Sequence, residues 1–121
     1  MITFSLIYNK LVTEAVNITD IRDIINNRYV AELTYDSGDG QATGTRQVEI
    51  HTIGYNVNGN AVLDAFQVRG DTKSNTPDWK TFDVRNIKSL KILNRTFDRP
   101  RPKWKEVNNR KVKQVLLQVK F

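Results

Sequence analysis

The spacing of apolar residues changes period along the chain, and the changes divide it into elements. From Ile2 to Val12 the apolar residues partly alternate (Ile2, Phe4, Leu6, Tyr8), which favours a strand. Ile18, Ile21, Ile24 and Ile25 then fall at helical spacing. Asn17 precedes them as an N-cap, and Asp20 three residues on makes a carboxylate variant of the capping box. Val16 and Ile21 fit the hydrophobic staple that fixes the entry of the chain into a helix. Asn26-Asn27 is expected to end the helix, because Asn tolerates left-handed backbone.

After Arg28 the period becomes two. Tyr29–Tyr35 is rich in strand formers, and Asp36–Gly40 is a turn by composition. Thr45–His51 alternates, with Thr45, Gln47, Glu49 and His51 on one side and Arg46, Val48 and Ile50 on the other. Ile53–Val57 leads into Asn58-Gly59, the pair that suits a type I′ hairpin because both central residues need positive φ. Val62–Arg69 is the return strand. A polar loop from Gly70 to Asp78 follows, then a strand over Lys80–Val84, a short turn over Arg85–Ser89 and a short strand over Leu90–Leu93. Pro100 and Pro102 interrupt regular structure. The last segment fits a helix face (Val112, Val115, Leu116, Val119) and a strand face (Val115, Leu117, Val119, Phe121); its β-branched and aromatic ending favours the strand. About five strands with tight turns after one helix define a mainly β (α+β) chain, built as a small antiparallel barrel or a strongly bent sheet.

At 121 residues, one hydrophobic core is expected. The division is a barrel domain over 1–98 and a basic extension over 99–121. The absence of Cys excludes disulfides and thiolate chemistry, and a single His excludes a multi-His metal cluster. There is no run of about 18 apolar residues to span a membrane, and the first residues do not form a signal peptide. A cytoplasmic protein is therefore expected, with no cofactor and no metal.

Charge sharpens this picture. The formal net charge is +6, yet residues 1–60 sum to −3 and residues 61–121 to +9. Arg95 to Lys113 alone carries eight basic residues against Asp98 and Glu106. Such a segment favours phosphate backbones, anionic surfaces or an acidic protein; a solvated basic tail is the plainer reading.

Motifs for chemistry are absent. No glycine pattern for phosphate or dinucleotide binding occurs, and Gly38, Gly40 and Gly44 are turn residues ahead of a strand. Asp36 and Asp39 lack the Glu that closes a calcium loop. His51 has no neighbouring Ser nucleophile or orienting Asp, and is expected to face solvent or a partner. Nothing here supports an enzyme.

From Thr19 to Asp98 the order of elements resembles the WYL domain, a bacterial and phage regulatory module. The stretches that carry the resemblance are Ile24–Tyr35, Thr45–Ile50, Ala61–Phe66, Lys80–Ile87 and Asn94–Asp98. The family's Trp-Tyr-Leu falls on Ala61-Val62-Leu63, keeping only Leu63, and its second Arg falls on Asn86 with Arg85 beside it. Arg46 is the clearest match among the polar ligand-contacting positions. The resemblance implies a Sm-like small β-barrel that senses nucleic acid or a nucleotide-type ligand, here standing alone, with Arg46, Arg85, Asn86 and Leu63 at the ligand site.

The residues themselves agree in outline, since a basic face with aromatic platforms binds single strands, each stacked base contributing about 1–3 kcal/mol. The candidates are Arg69, Lys73, Trp79, Lys80 and Lys88, then Arg99, Arg101, Lys103 and Trp104. Arg can hold phosphate through two parallel hydrogen bonds, and Lys acts as a point charge. Trp104 suits either stacking on a base or anchoring the tail to its own barrel; Tyr35, Phe66 and Phe82 are expected in the core. Two readings follow. One is a non-catalytic module binding nucleic acid or a nucleotide. The other is a small phage-type interaction factor that docks on an acidic partner or self-associates as a homodimer; the strand at Val115–Phe121 suits addition to a sheet edge of its own barrel, of a twin subunit or of a partner.

Overall fold

The computed structural model describes residues 16–38, 43–70, 78–104 and 111–121. The expected strand at Ile2–Val12 and Lys73 lie outside these residues. Helix α1 (Ile18–Asn27) begins as its sequence dictates: the Asn17 side chain accepts a hydrogen bond from the Thr19 N–H at 2.7 Å. Its isoleucines Ile18, Ile21, Ile24 and Ile25 are all buried. The helix ends at Asn27, as expected, but the left-handed residue falls one place later. Arg28, not an Asn, takes the left-handed conformation (φ 56°, ψ 41°).

The strands are β1 (Tyr29–Asp36), β2 (Thr43–Tyr55), β3 (Ala61–Gly70), β4 (Asp78–Asp83), β5 (Ile87–Thr96) and β6 (Gln114–Gln118). They form one antiparallel sheet in the order β4-β3-β2-β1-β5, and β6 pairs with β2 beyond the end of β1. A single 3-10 turn (Val84–Asn86) joins β4 to β5. The mainly β (α+β) class is as expected, but the barrel does not close: among the described residues no ladder joins β4 to β5. The sheet is strongly bent instead. Tyr35 on β1 and Phe82 on β4 have two strands between them in the sheet, yet their rings meet edge to face at 5.2 Å. The Asp83 N–H donates to the Tyr35 hydroxyl at 3.0 Å. The concave face holds Ala31, Leu33, Val48, Ile50, Leu63, Ala65 and Phe82, all buried.

Three local outcomes differ from the sequence expectation, each for a physical reason. The two expected strands Thr45–His51 and Ile53–Val57 are one strand, β2, whose register with β3 shifts between Ile50 and Thr52. The bulge leaves His51 outside the ladder and lets Ile50 and Ile53 both face the core, which breaks the simple alternation. The Asn58-Gly59 hairpin is not type I′. Only Gly59 has positive φ (79°), and its N–H donates to the Asn56 carbonyl at 3.0 Å, a turn followed by a left-handed residue. Finally, β5 is much longer than Leu90–Leu93, because its exposed positions are polar and hide its periodicity.

The C-terminal segment belongs to this sheet. Strand β6 is paired with Thr52–Tyr55, and the Val119 N–H donates to the His51 carbonyl at 2.8 Å. Gly54 permits this approach, since a Cβ there would overlap the Gln114 carbonyl and the Val112 side chain. Gly54→Ala is therefore expected to destabilise the fold by about 1–3 kcal/mol through this overlap. Urea denaturation of the full chain measures the loss, and amide exchange should locate it at residues 112–119.

Candidate functional site

The convex face of the sheet is built around the middle of β2. Cross-strand register places Glu49 beside Val30 on β1 and Phe66 on β3, and Phe66 beside Trp79 on β4. Glu49 is only 4% exposed. A buried carboxylate needs a cation and hydrogen bonds. Arg101 supplies both, its Nε and Nη2 donating to the two carboxylate oxygens at 2.7 Å each. The same guanidinium lies 4.9 Å from the Phe66 ring centroid, and the Glu49 hydrogen bonds hold it charged. The Trp79 indole N–H donates to the Pro102 carbonyl at 2.7 Å. Residues 101–104 are thus strapped across the convex face.

His51 lies beneath this strap, fully buried, and does not face solvent or a partner as expected. Its ring meets Trp79 at 4.7 Å, Phe97 at 5.1 Å, Trp104 at 5.5 Å and Phe121 at 6.0 Å. Nδ1 sits 2.8 Å from the Glu49 carbonyl, so Nδ1 carries the proton and donates it. Nε2 has no hydrogen-bond partner among the described residues. Burial pushes the imidazole down to about pKa 4, against smaller upward contributions from the Glu49 carbonyl and carboxylate.

A second tie closes the same region. Arg28 accepts from the Phe97 N–H through its carbonyl at 3.0 Å. Its Nε donates to the Phe97 carbonyl at 3.1 Å and its Nη1 to the Lys120 carbonyl at 3.0 Å. One residue therefore joins the end of α1, the end of β5 and the C-terminal segment.

The residues singled out from sequence fall into three groups. Leu63 is buried core. Arg46 is 5% exposed on the concave side, its Nη1 donating to Gln67 Oε1 at 3.3 Å and its guanidinium 5.3 Å from the Phe82 centroid. Asn86 donates to the Tyr35 hydroxyl at 3.4 Å, so a run of contacts links Arg46, Phe82, Tyr35 and Asn86. Arg85 is exposed and bound through two hydrogen bonds to Asp83, which raise its pKa. Arg101 and Trp104 are engaged in the strap. Arg69, Lys88, Arg99 and Lys103 are exposed, and Lys80 is half-buried. Of the three places open to the C-terminal strand (its own sheet, a twin subunit or a partner), it takes the first, pairing with β2.

Glu49, Arg28 and Phe121 were not among the sequence candidates. Glu49 had one signal, an acidic residue on the same strand face as His51. No local pattern pairs it with Arg101, fifty-two positions away. Among the described residues no group of three His, Asp or Glu side chains could hold a metal ion, and no helix is long and apolar enough to cross a membrane. Comparisons with protein-family models, with curated proteins and with solved structures each give no match for this chain.

Two outcomes test this geometry. Arg101→Ala leaves the Glu49 carboxylate without its cation, and should cost about 1.5–3 kcal/mol in urea denaturation. Adding Glu49→Gln to that variant should recover part of the loss. For His51 the sign follows from its lowered pKa: between pH 6.5 and 4 the unfolded chain binds a proton that the folded chain does not. Stability should therefore fall as pH drops through that window, by up to about 3 kcal/mol from this group. His51→Phe should remove that part of the slope in thermal melts across the same pH range.

Proposed function

We propose that this chain is a WYL-like, non-catalytic regulatory module of the cytoplasm that binds nucleic acid or a nucleotide-type ligand through a basic face. The supporting observation is a row of cations across the convex face. Register aligns Lys91 on β5 with Glu32 on β1, Glu32 with Gln47 on β2, and Gln47 with Arg69 on β3. Arg95 reaches the same row, donating to Gln47 Oε1. Lys91, Arg95 and Arg69 are exposed and engage no carboxylate among the described residues, while Glu32 is the single acid in the row. The strap places Arg99 and Lys103, also exposed, beside Arg101 and so at the edge of this surface.

In this reading Arg101 and Trp104 shape the surface and do not touch the ligand. Arg69, Arg95, Arg99 and Lys103 meet phosphate, through paired hydrogen bonds from the arginines and point charge from the lysine. Arg46 and Asn86 lie on the concave side and tune the sheet through Phe82 and Tyr35.

A mobility shift series with single-stranded DNA, RNA and duplex at rising salt tests the proposal. Binding should weaken linearly in log salt as counterions are released. The double variant Arg69→Ala, Arg99→Ala should lower the slope by about 2, one for each phosphate contact removed. A folded wild-type chain that binds none of the three at low salt would overturn the proposal.

A further inference from the structure

Strand β5 ends the sheet. One edge pairs with β1, and its other edge faces no strand among the described residues over Ile87–Thr96. Apart from the Ile87 N–H, which donates to the Val84 carbonyl, the β5 backbone makes no further hydrogen bond with the described residues on that side. Over the ten residues of β5, alternate N–H and C=O groups point to this edge and form a template for an added strand. The opposite end of the sheet differs. β4 has six residues, and the Asp78 and Asp83 carboxylates turn back to cap the Trp79 and Arg85 N–H groups. That edge is short and acidic at both ends, whereas β5 is long and, among the described residues, open.

The side chains of β5 define what fits. Its charged residues are Lys88, Lys91 and Arg95, with no acid. Lys91 shares the convex face with Glu32, while Leu90 and Ile92 register with Leu33 and Ala31 on the concave face. Ile92 is 49% exposed although its neighbour Ala31 is fully buried, so one side of the Ile92 side chain lacks a cover. A second copy of β5 would bring lysine and arginine against lysine and arginine, which disfavours self-pairing. An acidic strand meets the same cations favourably and can cover Ile92 with an apolar residue of the opposite parity.

We infer that the open edge of β5 receives an extended acidic segment of a partner protein by strand addition. Main-chain hydrogen bonds hold the segment. Its carboxylates lie along Lys88, Lys91 and Arg95, and its alternate apolar residues cover Ile92. The site shares Lys91 and Arg95 with the cation row proposed for nucleic acid, but it does not include Arg69, Arg99 or Lys103, and its main-chain pairing does not depend on nucleic-acid binding.

The test uses the full chain labelled with nitrogen-15, titrated with a capped peptide alternating Glu and Val, with its Lys-Val counterpart and with single-stranded DNA. The Glu-Val peptide should shift β5 amides and slow the exchange of those facing outward. The Lys-Val peptide should do neither. Lys91→Glu changes an exposed side chain and should weaken the Glu-Val peptide by about tenfold or more through like-charge repulsion. The inference is overturned if the Glu-Val peptide does not bind at low salt, or if it shifts only residues around Arg69, Arg99 and Lys103. It is also overturned if DNA, and not the peptide, protects the β5 edge, or if the edge is protected without peptide in a concentration-dependent manner, which would assign it to a second copy. Loss of DNA binding in the mobility shift series with peptide binding intact would remove the nucleic-acid reading alone.

Discussion

A carboxylate in the middle of the sheet must have a cation, and much of this structure follows from that requirement. Glu49 sits on the central strand, shielded from water, and the cost of burying it alone is several kcal/mol. The nearest chain neighbours offer no charge to match it. Arg101 reaches it from the segment that follows β5, and in doing so brings Pro102 to Trp79 and Trp104 to His51. The aromatic packing around His51 then adds apolar burial to an interaction that began with charge. Arg28 secures the same arrangement from the other side, holding Phe97 and Lys120. The segment after the two prolines is therefore part of the sheet's architecture, and the positive charge it carries is split between an inward role for Arg101 and an outward one for Arg99 and Lys103.

This split explains why charge arithmetic alone gave only part of the answer. The basic stretch from Arg95 to Lys113 was visible as a block. Which of its members face water depends on contacts with residues fifty positions earlier. Arg101 and Arg99 are two residues apart and alike in type, yet one is locked in a bidentate pair and the other is exposed.

The elements that were legible in the sequence are those with local causes. Helix α1 carries its own cap and its own apolar stripe, and the Asn56–Asn60 turn carries its own glycine. The expected mainly β class rests on such signals. The bulge at His51, the length of β5 and the open sheet are settled by register and by pairing between distant strands, which no local window contains. His51 illustrates the difference. Its place among polar alternating residues suggested a solvent-facing ring, while the bulge and the returning C-terminal segment enclose it. The candidate ligand residues drawn from family resemblance divide in the same way. Leu63 follows the core pattern of its strand, whereas the bend of the sheet turns Arg46 inward over Phe82.

The bond between Glu49 and Arg101 also bears on how the chain acquires its structure during synthesis. The β1–β2, β2–β3 and β3–β4 pairs join neighbours in sequence and can form as the chain emerges. The convex face cannot be finished at that stage. Until residues 101–104 have left the ribosome, the nascent sheet presents an unpaired acid beside exposed rings of Phe66 and Trp79. Such a surface is the kind that holding factors recognise, and the nascent chain carries it until Arg101 arrives to cover it.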